Sequence, residues 1–189
     1  MSIGILALQG AFIEHAQMLA SIGADSFEIR CRADLDRPMD GIIIPGGEST
    51  VMGKLLRELG MLDKLREMIV SGLPVFGTCA GMIVLAEELG DGTSGAVATL
   101  PVKVQRNAYG RQLASFHCIE QFEGIGPVPM EFIRAPYVID AGDCDVLAHD
   151  DKGNIVAVRK GNQLATAFHP ELTDSPAVHE YFLGMVSSR

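Results

Sequence analysis

The sequence predicts an α/β fold in which a mostly parallel central sheet carries helices on both faces. Short apolar runs bounded by glycine or proline alternate with segments of helical period, as is typical of parallel strands joined by crossover helices. The 189 residues are 48% hydrophobic and include 21 glycines, without a long polar tract. Such a chain is long enough to bury a substantial core. We therefore expect one domain, residues 1–189.

The first half of the chain predicts four strands and four helices in alternation. The strands are expected at 3–8, 26–30, 41–45 and 74–77. The helices are expected at about 11–22, from 49 onward, from 61 to 72, and from 80 to 90. Ser49 or Thr50 is available as the N-cap of the second helix, and the third and fourth helices are expected to end at the glycines Gly72 and Gly90.

The second half of the chain changes character at about Thr93. The stretches VKVQ, SFHCIE and EFIRAP have strand-like patterns and are joined by turn-rich loops, which indicates antiparallel strands added to the main sheet. The stretch IVAVRKGNQLATAF predicts a hairpin with Gly161-Asn162 in its turn. A closing helix is expected from 175 to 186.

Charge and cysteine content narrow the possible functions. A formal net charge of -9 argues against binding to nucleic acid or to an anionic membrane surface. The four cysteines show no CxxC spacing, so neither a zinc site nor a disulfide framework is indicated, and a cytoplasmic location fits best. The opening MSIGILALQG lacks a basic leader region and is too short to span a bilayer. We interpret it as the first buried strand.

One cysteine is set between glycines where an apolar strand meets a helix. The stretch Gly77-Thr78-Cys79-Ala80-Gly81 has the form of a nucleophile elbow with cysteine in place of serine. Glycines on either side relieve crowding around a strained nucleophile, and the following helix directs its positive end at the sulfur. The Ala80 amide is then a natural oxyanion donor. The alternative is an ordinary buried cysteine in a strand-to-helix turn.

A thiol nucleophile needs a base, and His169 is the candidate. It ends the apolar strand LATAF, and Pro170 favours an extended backbone at this histidine. Side chains at i and i+2 of an extended segment share a face, so Glu171 is expected to reach the imidazole and fix its tautomer. The alternative is a strand-end histidine beside a solvated glutamate.

The stretch PGGEST (45–50) follows an apolar strand and precedes a helix. Paired glycines at the carboxyl end of a strand let backbone amides approach a ligand, where open α/β sheets bind substrates. The stretch lacks the GK[ST] ending of a phosphate loop. We expect it to supply a second oxyanion donor and one wall of the substrate site.

The stretches GTCAGM, PGGEST and FHPELT resemble those of the class I (triad) glutamine amidotransferases. Together with LALQGA, QRNAYGRQ (105–112) and FIRAP, they most resemble the family of glutaminase subunits of pyridoxal 5'-phosphate synthase, the PdxT family. The resemblance covers nearly the whole chain, to about Thr173. It implies a flavodoxin-like three-layer sandwich that hydrolyses L-glutamine to L-glutamate and ammonia.

The resemblance also implies roles for individual residues. By it, Cys79 is the nucleophile, His169 the base and then the acid, and Glu171 the group that orients His169, while Gly47 and Ala80 donate to the oxyanion. The residues implied to hold the glutamine are Gly47, Glu48, Ser49, Arg106, Ile133 and Arg134. The arginines suit this role chemically, because a guanidinium binds an α-carboxylate bidentately, although surface arginines in turns are the ordinary alternative. Gln9 is implied to gate the glycine loop or contact a partner, unless it is only a strand-end polar residue.

The same resemblance implies a partner but no metal and no organic cofactor. The ammonia would pass to a synthase subunit in a large hetero-oligomer, because 189 residues are too few for a barrel of ~250 residues that handles phosphosugars. Three alternatives remain open: a triad amidase or glutaminase of another pathway, a flavodoxin-like cysteine hydrolase or chaperone relative, and a non-catalytic regulatory subunit.

Overall fold

A computed structural model describes residues 1–106 and 115–188 of the chain. Within these ranges the chain forms twelve strands and five α-helices. The strands are β1 Ser2–Leu6, β2 Asp25–Ile29, β3 Gly41–Ile44, β4 Val75–Thr78, β5 Ala86–Leu89, β6 Leu100–Gln105, β7 Ser115–Phe122, β8 Gly126–Ile133, β9 Tyr137–Asp140, β10 Asp145–His149, β11 Ile155–Lys160 and β12 Gln163–Thr166. The helices are α1 Phe12–Ser21, α2 Ser49–Glu58, α3 Leu62–Val70, α4 Ala80–Leu85 and α5 Ala177–Ser187. Two 3₁₀ turns cover Arg32–Asp36 and Pro170–Leu172.

The strands form one mixed sheet with a parallel half and an antiparallel half. The order β2-β1-β3-β4-β12 is parallel throughout. From β12 the sheet continues antiparallel through β11, β10, β7 and β8. Strands β5, β6 and β9 branch from this path, and β9 pairs with β11. The predicted α/β fold with added antiparallel strands is confirmed.

The faces of β4 show how helices cover both sides of the sheet. The Phe76 ring packs against His15 of α1 and against His179 and Phe182 of α5. The next residue, Gly77, faces α4, and α2 packs against α4. Because successive residues of a strand point to opposite faces, α1 and α5 form one layer and α4 with α2 the other. Strands β3 and β4 are buried along their whole lengths, as the apolar runs predicted.

Several predicted elements are confirmed within one or two residues of their expected bounds. Helices α1 and α5 and the first four strands lie where the periodicity placed them. The hairpin of β11 and β12 turns at Gly161-Asn162, with Lys160 opposite Gln163. Gly161 has a φ of 55°, the left-handed backbone that a two-residue hairpin turn requires. The stretch SFHCIE lies in β7, and the first three residues of EFIRAP end its antiparallel partner β8, while residues 134–136 lie beyond the strand.

The predicted helix from 80 to 90 is wrong in its second half. Helix α4 ends at Leu85, and the next four residues form β5, which pairs in parallel with β6. Ala86 and Leu89 are buried in this strand, while the two glutamates between them are exposed. The pairing with β6 satisfies backbone groups that a local helical pattern cannot foresee, so tertiary contacts override the propensity of this stretch.

The expected N-cap of α2 is also wrong. Glu48, one residue earlier, caps the helix: its carboxylate accepts from the amide of Thr50 at 3.2 Å and from that of Val51 at 3.0 Å. A carboxylate at this end of a helix also complements the helix dipole. Ser49 therefore begins the helix instead of preceding it.

Residues 107–112 of the stretch QRNAYGRQ lie outside the described residues, and only its first two members are described.

Across residues 1–106 and 115–188, none of the helices has both the length and the apolar character needed to cross a membrane.

Candidate active site

The carboxyl ends of the parallel strands meet at one edge of the sheet and open into a cleft of about 530 Å³. Gln9 follows β1, Gly46–Glu48 follow β3, Cys79 follows β4 and His169 follows β12. All of them line the cleft. The crevice outside the carboxyl ends of parallel strands is where open α/β sheets bind ligands.

Cys79 has a backbone conformation that few side chains adopt. Its φ is 48° and its ψ is -101°, and its side chain is almost entirely buried. The Cys79 amide donates to the carbonyl of Thr166 at 2.7 Å, which ties the turn to β12. Strain of this kind costs about 1–3 kcal/mol and persists only where the surroundings enforce it.

The two flanking glycines make the turn possible by close approach. A Cβ on Gly77 would lie 2.8 Å from the carbonyl carbon of Gly81, and a Cβ on Gly81 would overlap the carbonyl oxygen of Ile44. Neither contact can be relieved by moving a flexible side chain, since both involve backbone. The GxCxG pattern is therefore explained by packing between β3, β4 and α4.

His169 is held between Cys79 and Glu171. Its Nδ1 lies 2.7 Å from Oε1 of Glu171, and both side chains are buried. Burial alone would lower the pKa of His169, but hydrogen bonds to Cys79 and Glu171 and the negative charge of Glu171 raise it to about 10. At neutral pH the imidazole then carries both protons and donates from both nitrogens. The ring thus holds a proton directly beside the sulfur.

Glu171 lies behind His169, outside the wall of the cleft. Burial favours its neutral form, but the neighbouring His15 and the hydrogen bond and charge of His169 lower its pKa. The carboxylate is therefore ionised and stabilises the imidazolium. The segment that carries Glu171 is the 3₁₀ turn Pro170–Leu172 and not an extended strand, so the contact is made as expected but the local geometry behind that expectation is wrong.

The glycine loop after β3 closely contacts both the cysteine and Gln9. A Cβ on Gly46 would lie 2.9 Å from Nδ1 of His169 and 3.3 Å from Cβ of Cys79, so only glycine fits between them. Gln9 accepts from the Glu48 amide at 2.8 Å, and a Cβ on Gly47 would lie 2.8 Å from Gln9 Nε2. Gln9 therefore contacts and supports the loop.

Ala80 is the first residue of α4, where helix geometry provides no intrahelical partner for a backbone amide. Its amide follows directly after Cys79 and lies at the positive end of the short helix. Ala80 and Gly47 both line the cleft that Cys79 lines. This arrangement suits two amides donating to one developing oxyanion.

Charged groups of both signs line the rest of the cleft. Arg106 donates to Thr50 Oγ1 at 3.0 Å and lies 4.0 Å from the Glu48 carboxylate. Ile133, at the end of β8, has its carbonyl oxygen 3.9 Å from the sulfur of Cys79, and Arg134 follows with a φ of 45°. A carboxylate and guanidinium groups together suit the two charged ends of a free amino acid.

The structure brings the residues singled out from the sequence into one site. The cleft is lined by Gln9, Gly47, Glu48, Ser49, Cys79, Ala80, Arg106, Ile133, Arg134 and His169. It also has lining residues that the sequence did not single out: Gly10, Ala11, Glu14, Gly46, Ile83 and Leu172. Gly10 and Gly46 lie inside motifs that were noted, so their neighbours provided a signal. Leu172 likewise lies inside FHPELT, whereas Ile83 carries no signal of its own, because it is one apolar residue among many.

Within the part of the chain that the structure describes, no three His, Cys, Asp or Glu side chains are grouped so that they could hold a metal ion. The chemistry available at this edge of the sheet is that of a thiol, an imidazolium, a carboxylate and backbone amides.

Comparison with known proteins gives one consistent result. Residues 5–188 match the SNO glutamine amidotransferase family. The pyridoxal 5'-phosphate synthase subunit PdxT of Desulfitobacterium hafniense (strain Y51) is 52% identical over 187 residues, covering 99% of this chain and 94% of that protein. The subunit of the same name from Methanocorpusculum labreanum is also 52% identical, over 99% of this chain and 98% of its own length. A solved structure described as a glutamine amidotransferase superposes with a TM-score of 0.92 at 43% identity, covering 98% of both chains.

Proposed function

Because this chain belongs to the SNO glutamine amidotransferase family, we propose that it is the glutaminase subunit of a pyridoxal 5'-phosphate synthase. It hydrolyses L-glutamine to L-glutamate and ammonia. The observation that carries the mechanism is the buried line from Cys79 through His169 to Glu171, which opens into a cleft with charged groups of both signs.

Glutamine binding follows from the charges of the cleft. Arg106 and Arg134 bind the α-carboxylate, and the carboxylate of Glu48 receives the α-ammonium group. Ser49 and Ile133 complete the walls around the substrate. The side-chain carboxamide then extends toward Cys79, with its carbonyl oxygen directed at the amides of Gly47 and Ala80.

The reaction is an acyl transfer in two steps. The Cys79 sulfur attacks the carboxamide carbon, a C–S bond forms, and the oxyanion is held by the two backbone amides. The proton on His169 passes to the leaving nitrogen as the C–N bond breaks, and ammonia departs. Water then attacks the thioester, gives its proton to His169, and releases glutamate and the Cys79 sulfur. Glu171 stays ionised and keeps His169 oriented throughout.

The product requires a partner. Ammonia set free in water is mostly protonated and is then useless as a nucleophile, so a second active site has to lie close by. We assign this second site to the synthase subunit of the complex, and Gln9, which contacts the glycine loop, to transmitting its docking to the oxyanion site. The cytoplasm is the expected location of this assembly.

The test measures glutamate release from L-glutamine by the purified chain, alone and with a pyridoxal 5'-phosphate synthase subunit. We expect release that rises with the partner and is abolished in Cys79→Ala, while the variant still binds the partner. A wild-type chain that binds the partner but behaves like Cys79→Ala would be a non-catalytic subunit, which refutes the proposal. Release from other amides and not from glutamine would indicate a triad amidase of another pathway.

A further inference from the structure

Two buried histidines, His15 of α1 and His179 of α5, extend the line of catalytic groups away from the cleft. Both are fully buried, and neither lines the cleft. His15 Nδ1 lies 2.9 Å from His179 Nε2. On its other side, His15 Nε2 lies 3.2 Å from Thr78 Oγ1 and 3.5 Å from Glu171 Oε2. The proposed mechanism uses neither histidine.

His15 lies where it can donate a hydrogen bond to the second carboxylate oxygen of Glu171. Oε1 of Glu171 accepts from His169, and Oε2 has no partner at ordinary hydrogen-bond distance in residues 1–106 and 115–188. His15 Nε2 is the group that faces this second oxygen. A carboxylate held at one oxygen only is free to rotate, so a donor at the other oxygen decides its orientation.

The hydrogen-bond pattern indicates which nitrogen of His15 carries the proton. If Nδ1 carried it, the Nε2 lone pair would face the Glu171 carboxylate, and His179 would accept at Nε2 and carry its own proton at Nδ1. His179 Nδ1 has no partner among the described residues, so this arrangement would leave a buried N–H unsatisfied. With the proton on Nε2, His15 donates toward Thr78 and Glu171 and accepts from His179. Only a lone pair then remains unpartnered.

The surroundings of His15 favour the neutral form of its ring. Burial lowers its pKa, while Glu171 opposes this effect and His169 and Glu14 act more weakly. The Phe76 ring makes T-shaped contacts with both histidines, and both are fully buried. A neutral donor can orient the carboxylate without competing with His169 for its negative charge.

We propose that His15 is a positioning residue for the triad carboxylate: its Nε2–H fixes Oε2 of Glu171, and His179 fixes the tautomer of His15. This inference rests on the proposed function and adds two residues to its machinery. The line then runs Cys79, His169, Glu171, His15, His179, and it joins the end of β4, the 3₁₀ turn, α1 and α5.

The test uses a pair of substitutions that separate the two nitrogens of His15. In His15→Gln the amide nitrogen falls near the former Nε2 and keeps the donor to Glu171. In His15→Asn it falls near the former Nδ1 and loses that donor. His149→Gln, at an exposed histidine of β10, is the control. His179→Leu and His179→Gln probe the far end of the line, with His15 itself unchanged.

Two readouts are measured, with thermal melting to confirm that each variant is folded. The first is kcat and KM for glutamine with the synthase subunit bound. The second is the rate at which iodoacetamide alkylates Cys79 in the chain alone, followed peptide by peptide so that the other three cysteines serve as internal standards. We expect kcat and the alkylation rate to fall about 10–100-fold in His15→Asn and His179→Leu, as for the loss of a hydrogen bond to a charged group, with KM changed by less than about twofold. Both Gln variants should keep most of the wild-type kcat and alkylation rate.

Equal kcat and equal alkylation rates in the Asn and Gln variants would overturn the proposal, as would a loss confined to KM. The two readouts separate a failure of this proposal from a failure of the proposed function. A wild-type chain that releases no glutamate refutes the glutaminase assignment, while the alkylation rates alone still decide whether His15 positions the triad. If His15→Asn does not fold, the His179 pair decides by the same criteria.

Discussion

Gly46→Ala is expected to impair catalysis strongly while leaving the fold nearly intact. The added Cβ would lie 2.9 Å from Nδ1 of His169 and closer still to Cε1 of the same ring. Gly46 does not have a positive φ, so alanine adds no backbone strain there. The change therefore acts on the side chain that faces it.

The size of the effect follows from this contact. Carbon atoms in contact prefer about 3.5–4.0 Å, so the imidazole has to move by about 1 Å or more. A displacement of about 1 Å in a catalytic group costs roughly 10²-fold in rate, which corresponds to about 2.7 kcal/mol of transition-state stabilisation. We expect kcat for glutamine to fall by roughly this factor, with a small change in KM.

The assay is glutamate release with the synthase subunit present, together with thermal melting. Gly184→Ala is the matched control, because a Cβ at that position of α5 meets no atom within 4 Å. That variant should keep full activity and gain about 0.5–1 kcal/mol of stability from its helical position. If Gly46→Ala is as active as the wild type, the imidazole does not lie against Gly46 during catalysis, and the assignment of His169 as base is refuted.

The remaining predictions concern two buried ionisable residues, Glu171 and His179. Glu171→Gln removes the charge that stabilises the imidazolium, so kcat should fall about 10²–10⁴-fold at nearly constant KM, and full activity would refute the role of Glu171. His179 makes stability pH-dependent, because burial lowers its pKa to about 3 whereas the unfolded chain binds this proton near pH 6.5. Between these pH values the unfolded state binds more protons, so the free energy of unfolding falls as pH falls. His179→Gln should remove about 2 kcal/mol of the loss between pH 7.5 and pH 5, measured by urea unfolding, and an unchanged loss would contradict a neutral His179.

Much of the fold could be predicted because its signals are local. The apolar runs of β3 and β4, the periodicity of α1 and α5 and the Gly-Asn turn of the last hairpin each depend on neighbours in sequence. The largest exception is the stretch after α4, where an apparently helical pattern forms β5. Its backbone partners, Leu100 to Val104, lie more than ten residues away, and no local pattern contains that information.

The sequence by itself determined the chemistry of the site, since a cysteine between glycines, a histidine at a strand end and a glutamate two residues later are legible as residue types at fixed spacings. Only the tertiary structure decided how these groups are held. His15, Thr78, Glu171 and His179 meet because α1, β4, the 3₁₀ turn and α5 pack against one another. Distances between such elements depend on packing and strand register, which spacing along the chain does not encode. For the same reason the cap of α2, the fit of Gly46 against His169 and the support of the glycine loop by Gln9 became visible only in three dimensions.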